Sequence, residues 1–135
     1  MAYAITEIEG IGPTYAEKLA GQGIKTTADL LDRAKDPKGR KELAAAADID
    51  ASRVLKWANM ADLMRIKGVG EEYSELLEAA GVDTVKELRN RNAANLAAKM
   101  REVNEAKKLV RQTPGDGQVE AWVEHAKTLD PIMTY

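Results

Sequence analysis

The residues best placed to do chemistry in this chain lie in "IEGIGPTYAEKL", Ile8 to Leu19. Gly10 and Gly12 bracket Ile11, and Pro13 opens a helical segment, a position where no backbone N–H is needed. Glycine lets a backbone turn tightly and approach a ligand closely. A helix starting at such a turn offers free N–H groups and the positive end of its dipole, which suit a phosphate oxygen. Thr14 adds a hydroxyl donor, and Lys18 and Lys25 add charge. The pattern recurs in "IKGVGEEYSELL", where Lys67 precedes Gly68 and Gly70 brackets Val69 from the other side. There Glu71, Glu72 and Glu75 follow. Acids at a helix start complement the dipole themselves and repel a phosphate brought to the same amides. The first turn is therefore the stronger phosphate candidate. The competing reading, strongest for the second turn, is a corner that docks two helices with Ile11 or Val69 pointing inward.

Other chemistries find little in the chain. It has no cysteine, so it has neither a disulfide framework nor a thiolate metal site. His125 is the single histidine and stands near Trp122, which reads as a surface or packing residue. "DIDAS", from Asp48, starts like a calcium loop, but the sixth-place glycine is missing and Asn59 stands where glutamate is required. Neither glycine turn is a P-loop or a dinucleotide fingerprint, because the third glycine and a preceding strand are absent. Carboxylates are numerous, but spacing pairs none of them. The expectation is a protein that is not an enzyme, with no metal and no cofactor.

The formal charge of −2 counts against a dedicated nucleic-acid binder, although local patches can override an average. "RAKDPKGRK" gathers Arg33, Lys35, Lys38, Arg40 and Lys41, which either extend a phosphate footprint or form a solvated loop and helix start. "KMREVNEAKKLVR" mixes Lys99, Arg101, Lys107, Lys108 and Arg111 with Glu102 and Glu105, as a helix surface with i,i+4 pairs does.

The elements that must hold these residues are helices, given the Ala, Leu, Lys and Glu content and the absence of any convincing strand. The strongest organising signal is a repeat. Ile8 to Leu30 matches Ile66 to Leu88 in one frame without a gap. Gly10 meets Gly68, Gly12 meets Gly70, Tyr15 meets Tyr73, Gly23 meets Gly81 and Thr26 meets Thr84. "VLKWANMA" and "VEAWVEHA" then match in a frame shifted by about seven residues, so each unit ends in a helix with one Trp. The extra residues fall between Val103 and Gln118, around "TPGDGQ".

Gly23 and Gly81 should stop helices, and Thr26 or Thr27, Thr84, Asp36 and Asp50 should start them. Val54, Trp57, Ala58, Ala61 and Met64 form one apolar face on a helix from Ala51 to about Met64. Val119, Trp122, Ala126 and Leu129 form another, and Leu96, Met100, Val103 and Val110 a third on a long helix. Trp57, Trp122, Met60, Met64 and Met100 read as core, and Tyr15 and Tyr73 as half-buried with the hydroxyl reaching solvent or backbone.

"GIGPTYAEKL" with the continuation "GIKTTADLL" resembles the helix-hairpin-helix proteins. Nearly the whole chain resembles an uncharacterised bacterial family, a domain of unknown function with two such units. The resemblance implies an all-α fold: two tandem helix-hairpin-helix repeats, residues 1–64 and 65–135, packed as a pseudo-twofold domain sharing one core. It also implies weak, sequence-independent binding to the phosphate backbone of double-stranded DNA. The implied contacts are Gly10, Ile11, Gly12, Thr14, Lys18 and Lys25, with Lys67, Gly68 and Gly70 on the second turn. The alternative is an interaction or assembly module, with a protein partner or a second copy, that has lost the ligand. Only seven residues precede Ile8, too few for a leading helix. The helix near Gln118 to Leu129 is therefore expected to pack against the first turn, or against a partner chain's. No basic leader and no long apolar run is evident, so the expected place is the cytoplasm, away from membranes.

Overall fold

The computed structural model describes residues 3–135. Among them the chain forms a 3₁₀ turn at Ile5–Glu7 and eight α-helices. These are α1 Pro13–Ala20, α2 Thr27–Ala34, α3 Pro37–Ala47, α4 Ala51–Leu63, α5 Glu71–Ala79, α6 Val85–Leu88, α7 Ala93–Lys107 and α8 Asp116–Thr128. No strand occurs among the described residues, where Ala4 and Thr26 make one isolated antiparallel bridge. The protein is all-α, and no described helix is long and apolar enough to cross a membrane.

Short polar side chains set the helix starts, each such cap being worth about 1 kcal/mol. Thr26 Oγ1 accepts the Asp29 N–H at 3.1 Å while Asp29 Oδ2 accepts the Thr26 N–H at 3.1 Å, a reciprocal capping box. Asp36 accepts the Gly39 N–H, Asp50 the Ser52 N–H, Thr84 the Glu87 N–H and Asn92 the Asn95 N–H. Helices α1 and α5 stop alike. The Ile24 N–H reaches back to Leu19 O at 3.0 Å and the Val82 N–H to Leu77 O at 2.9 Å. Gly23 (φ +78°) and Gly81 (φ +95°) take the left-handed turn between. Asp48 and Lys108 end α3 and α7 in left-handed geometry without glycine, at φ 54° and 52°.

The buried apolar residues fall into two clusters. The first gathers Ile8, Leu19, Leu30, Leu43, Val54, Trp57 and Met64 among others, the second Leu63, Ile66, Leu77, Leu88, Met100, Val119 and Trp122. Trp57 meets the Tyr15 ring edge-on with centroids 5.0 Å apart, and Trp122 meets Tyr73 at 5.2 Å. The Tyr73 hydroxyl donates to Gln112 O at 3.2 Å.

Two expectations are corrected. Helix α8 does not pack on the first turn: it packs on α6 and α7, with Trp122 in the second cluster. The first turn needs no leading helix, because a 3₁₀ turn precedes it and Trp57 of α4 covers it. Val110 is not on the long helix, which ends at Lys107. It is buried in the second cluster past the helix end, where the Asn104 side chain accepts the Val110 N–H at 2.9 Å and donates to Val110 O at 3.1 Å.

Buried polar residues tie the elements together. Asp62, on α4, accepts the Val85 N–H at 2.8 Å at the start of α6 and pairs with Arg65 at 2.8 Å. Beyond α8 the chain crosses to the first cluster, where Met133 is buried.

Candidate functional site

The first turn closes when the Ile11 N–H donates to Ile8 O at 3.1 Å, which buries both isoleucine side chains. Gly10 has φ +94°, and a Cβ there would lie 3.4 Å from Trp57 Nε1. The turn thus rests on the indole edge. Gly12 is the N-cap of α1 in extended geometry, with no side-chain cap, and a Cβ added to it would meet open space. Helical geometry leaves the Thr14 and Tyr15 N–H groups without an intrahelical acceptor. These amides, next to the Thr14 hydroxyl, are what the sequence anticipates.

Charge around them is arranged differently from the expectation. Lys18 Nζ donates to Asp48 O at 3.0 Å, lies 4.0 Å from the Asp48 carboxylate and stands 5.9 Å from the Tyr15 ring centroid. It is held at the left-handed end of α3, where a cation also complements the helix dipole. Arg53, on the first turn of α4, lies over the same ring with Cζ 5.5 Å from its centroid. Lys18 and Arg53 therefore flank Tyr15 together. Arg53 is one helical turn before Trp57, which itself touches Tyr15, so the i,i+4 relation carries the signal. The corresponding place before Trp122 is Gln118, and Leu76 corresponds to Lys18, so the second turn lacks this pair. Lys25 is not brought to the amides: Ile5 N donates to its carbonyl at 2.9 Å, beyond the far end of α1.

The second turn repeats the backbone. Val69 N donates to Ile66 O at 3.0 Å, Gly68 has φ +90°, and its Cβ would lie 3.3 Å from Trp122 Nε1. Gly70 is an open, uncapped N-cap like Gly12. The Lys67 N–H donates to His125 Nδ1 at 3.1 Å, so the single histidine docks α8 on this turn.

The two turns meet through carboxylates. The Glu71 carboxyl lies close to that of Glu9. This contact, with burial and the charges of Glu9, Glu7 and Glu72, pushes Glu71 up to about 7. Burial and Glu9 also raise Glu75, against the opposing Lys56, and burial raises Glu78. The second turn therefore faces a local excess of negative charge, and the first has acid on one side and the Lys18–Arg53 pair on the other. Local sequence pattern carries no sign of the Glu9–Glu71 contact, which joins two distant segments. Among the described residues no cluster of His, Cys, Asp and Glu could hold a metal ion.

No solved structure matches this chain. A segment of the poly(3-hydroxyalkanoate) polymerase subunit PhaC of Haloferax mediterranei is 48% identical to it over 54 residues. That is 40% of this chain and 10% of the polymerase subunit, so the likeness spans a small part of that protein. Residues 9–129 match the family described as "Domain of unknown function (DUF4332)", and the chain belongs to that family.

Proposed function

We propose that the two Gly-apolar-Gly corners are helix-hairpin-helix turns, and that the first binds the nucleic-acid phosphate backbone weakly and without sequence preference. One observation carries the reading: the α1 start at Gly12 is open and uncapped, with Lys18 and Arg53 beside it on the Tyr15 ring. Backbone N–H groups and a flanking cation position a phosphate and read no base. The second turn, at Lys67, Gly68 and Gly70, contributes packing rather than contact, since Glu71 and Glu72 occupy its helix start. The Glu9–Glu71 pair keeps the affinity low. No residue here is assigned a catalytic role.

The second reading is a protein-interaction or assembly module. The carboxylate contact between the turns and the likeness to part of a polymerase subunit favour it. Binding of a random-sequence duplex, measured at low and moderate salt with the native chain and Arg53→Glu, separates the two. Phosphate contact gives binding that weakens with salt and with the substitution. Absence of binding at low salt leaves the second reading.

A further inference from the structure

The segment after α8 leaves one unit and finds its partners in the other. Leu129 still packs on the second cluster, whereas Met133 is buried in the first. Beyond Met133 the chain is fixed by named bonds. Thr134 N donates to Lys35 O at 2.8 Å, and Arg40 Nη2 donates to Thr134 O at 2.7 Å. The Tyr135 hydroxyl donates to Asn59 Oδ1 at 2.6 Å, and the Arg40 guanidinium lies 5.3 Å from the Tyr135 ring centroid. With the strap in place Arg40 and Asn59 are buried, so undocking would exchange their bonds to the strap for water and uncover the Met133 side chain. The groove is built to hold an extended strap.

The tether between these anchors is held less closely. Asp130 O accepts Arg65 Nη2 at 2.8 Å. Pro131 and Ile132 then line, with Ala28, Leu31 and Ala61, a cleft of about 570 Å³. A docked segment on a short tether containing proline can be exchanged between copies at little cost, because each anchor bond can be remade in the partner.

We propose that the groove of the first unit also accepts the strap Met133–Tyr135 of a second copy of this chain, giving a reciprocally exchanged dimer. Docking within one chain dominates at low concentration, where the tether supplies a high effective concentration, and exchange grows as the protein is concentrated.

The absence of native cysteine gives a clean test. Lys35→Cys chains and Thr134→Cys chains are unfolded, mixed and refolded together at low and high protein concentration. They are then treated with a short thiol–thiol cross-linker, and the linked peptides are identified by mass spectrometry. The proposal predicts a cross-linked pair joining positions 35 and 134 of different chains, increasing with concentration. The double variant cross-links as a monomer when dilute. Adding Arg40→Met to the Lys35→Cys chain removes one anchor and should lower the inter-chain product about tenfold. A mixture that yields no inter-chain 35–134 product at high concentration, while the double variant cross-links within itself, overturns the exchange. An inter-chain yield indifferent to Arg40→Met marks random collision and overturns it too. A double variant that cross-links in neither way overturns the docked strap itself.

Discussion

The Arg53 guanidinium lies over the ring of Tyr15, 5.5 Å from its centroid, and so joins a cation of α4 to a side chain in the first turn of α1. The ring orients this cation, and Asp50, which Arg53 helps to hold ionised, offsets part of its charge. Lys18 on the same ring is engaged by Asp48. Arg53 should therefore matter more than Lys18 for any anion brought to Gly12, Thr14 and Tyr15.

The glycines of the turns should separate folding from binding. Gly10→Ala and Gly68→Ala place a side chain in left-handed backbone against a Trp edge, and each should lower stability by about 1–2 kcal/mol or more. Gly12→Ala has ordinary φ and open space and loses only the N-cap preference for glycine, so it should cost no more than about 1 kcal/mol. Denaturant unfolding of the three variants checks this, and a Gly12→Ala loss as large as that of Gly10→Ala would contradict the geometry.

Asp62 should be the costliest polar residue to remove. Asp62→Ala leaves the Val85 N–H and Arg65 without their carboxylate in a buried place, a change worth about 3 kcal/mol or more. Asp62→Asn keeps one acceptor and should cost less. Thermal unfolding of both variants gives the ranking, and equal losses would show that the charge, not the acceptor, is what α6 requires.

Much of this framework is legible in the sequence, because it rests on local chemistry. Thr26, Asp36, Asp50 and Thr84 announce helix starts by residue type and spacing, and Gly23 and Gly81 announce their stops. The paired turns and the Trp helices follow from the repeat. What stays hidden depends on contacts between distant segments. A Cβ on Gly39 would collide with the Arg33 carbonyl oxygen, so this glycine sets how closely α3 approaches α2. The Glu9–Glu71 contact, the engagement of Lys18 by Asp48 and the strap on Arg40 are likewise products of packing. The first turn does not call for α8, because a 3₁₀ turn and Trp57 serve in place of a preceding helix.

Stability should depend on pH through the acids between the turns. Glu71 has a folded pKa of about 7, above its ordinary 4.5, so the folded chain binds the extra proton. Its contribution is full below about 4.5 and is lost as pH rises toward 7. Glu75 and Glu78 are shifted the same way. Asp29 and Asp50, lowered by the N–H groups they accept, act oppositely and lose their contribution as pH falls through the ordinary carboxylate range. Between about pH 4.5 and 7 the melting temperature of the native chain should fall relative to Glu71→Gln, with salt reducing the difference. Parallel melting curves for the two proteins across that range would contradict the Glu9–Glu71 contact.

The central claim is that the first turn, flanked by Arg53, meets a phosphate backbone. The most direct measurement is the affinity of the native chain, Arg53→Glu and Gly12→Val for a random-sequence duplex, across a salt series from about 20 to 200 mM, with the fold of each variant verified by its melting curve. The account predicts weak binding by the native chain that falls steeply with salt, a loss of about tenfold or more in Arg53→Glu, and a comparable loss in Gly12→Val, whose side chain fills the open approach. Binding that is absent at the lowest salt, or that is equal in all three folded proteins, would contradict it.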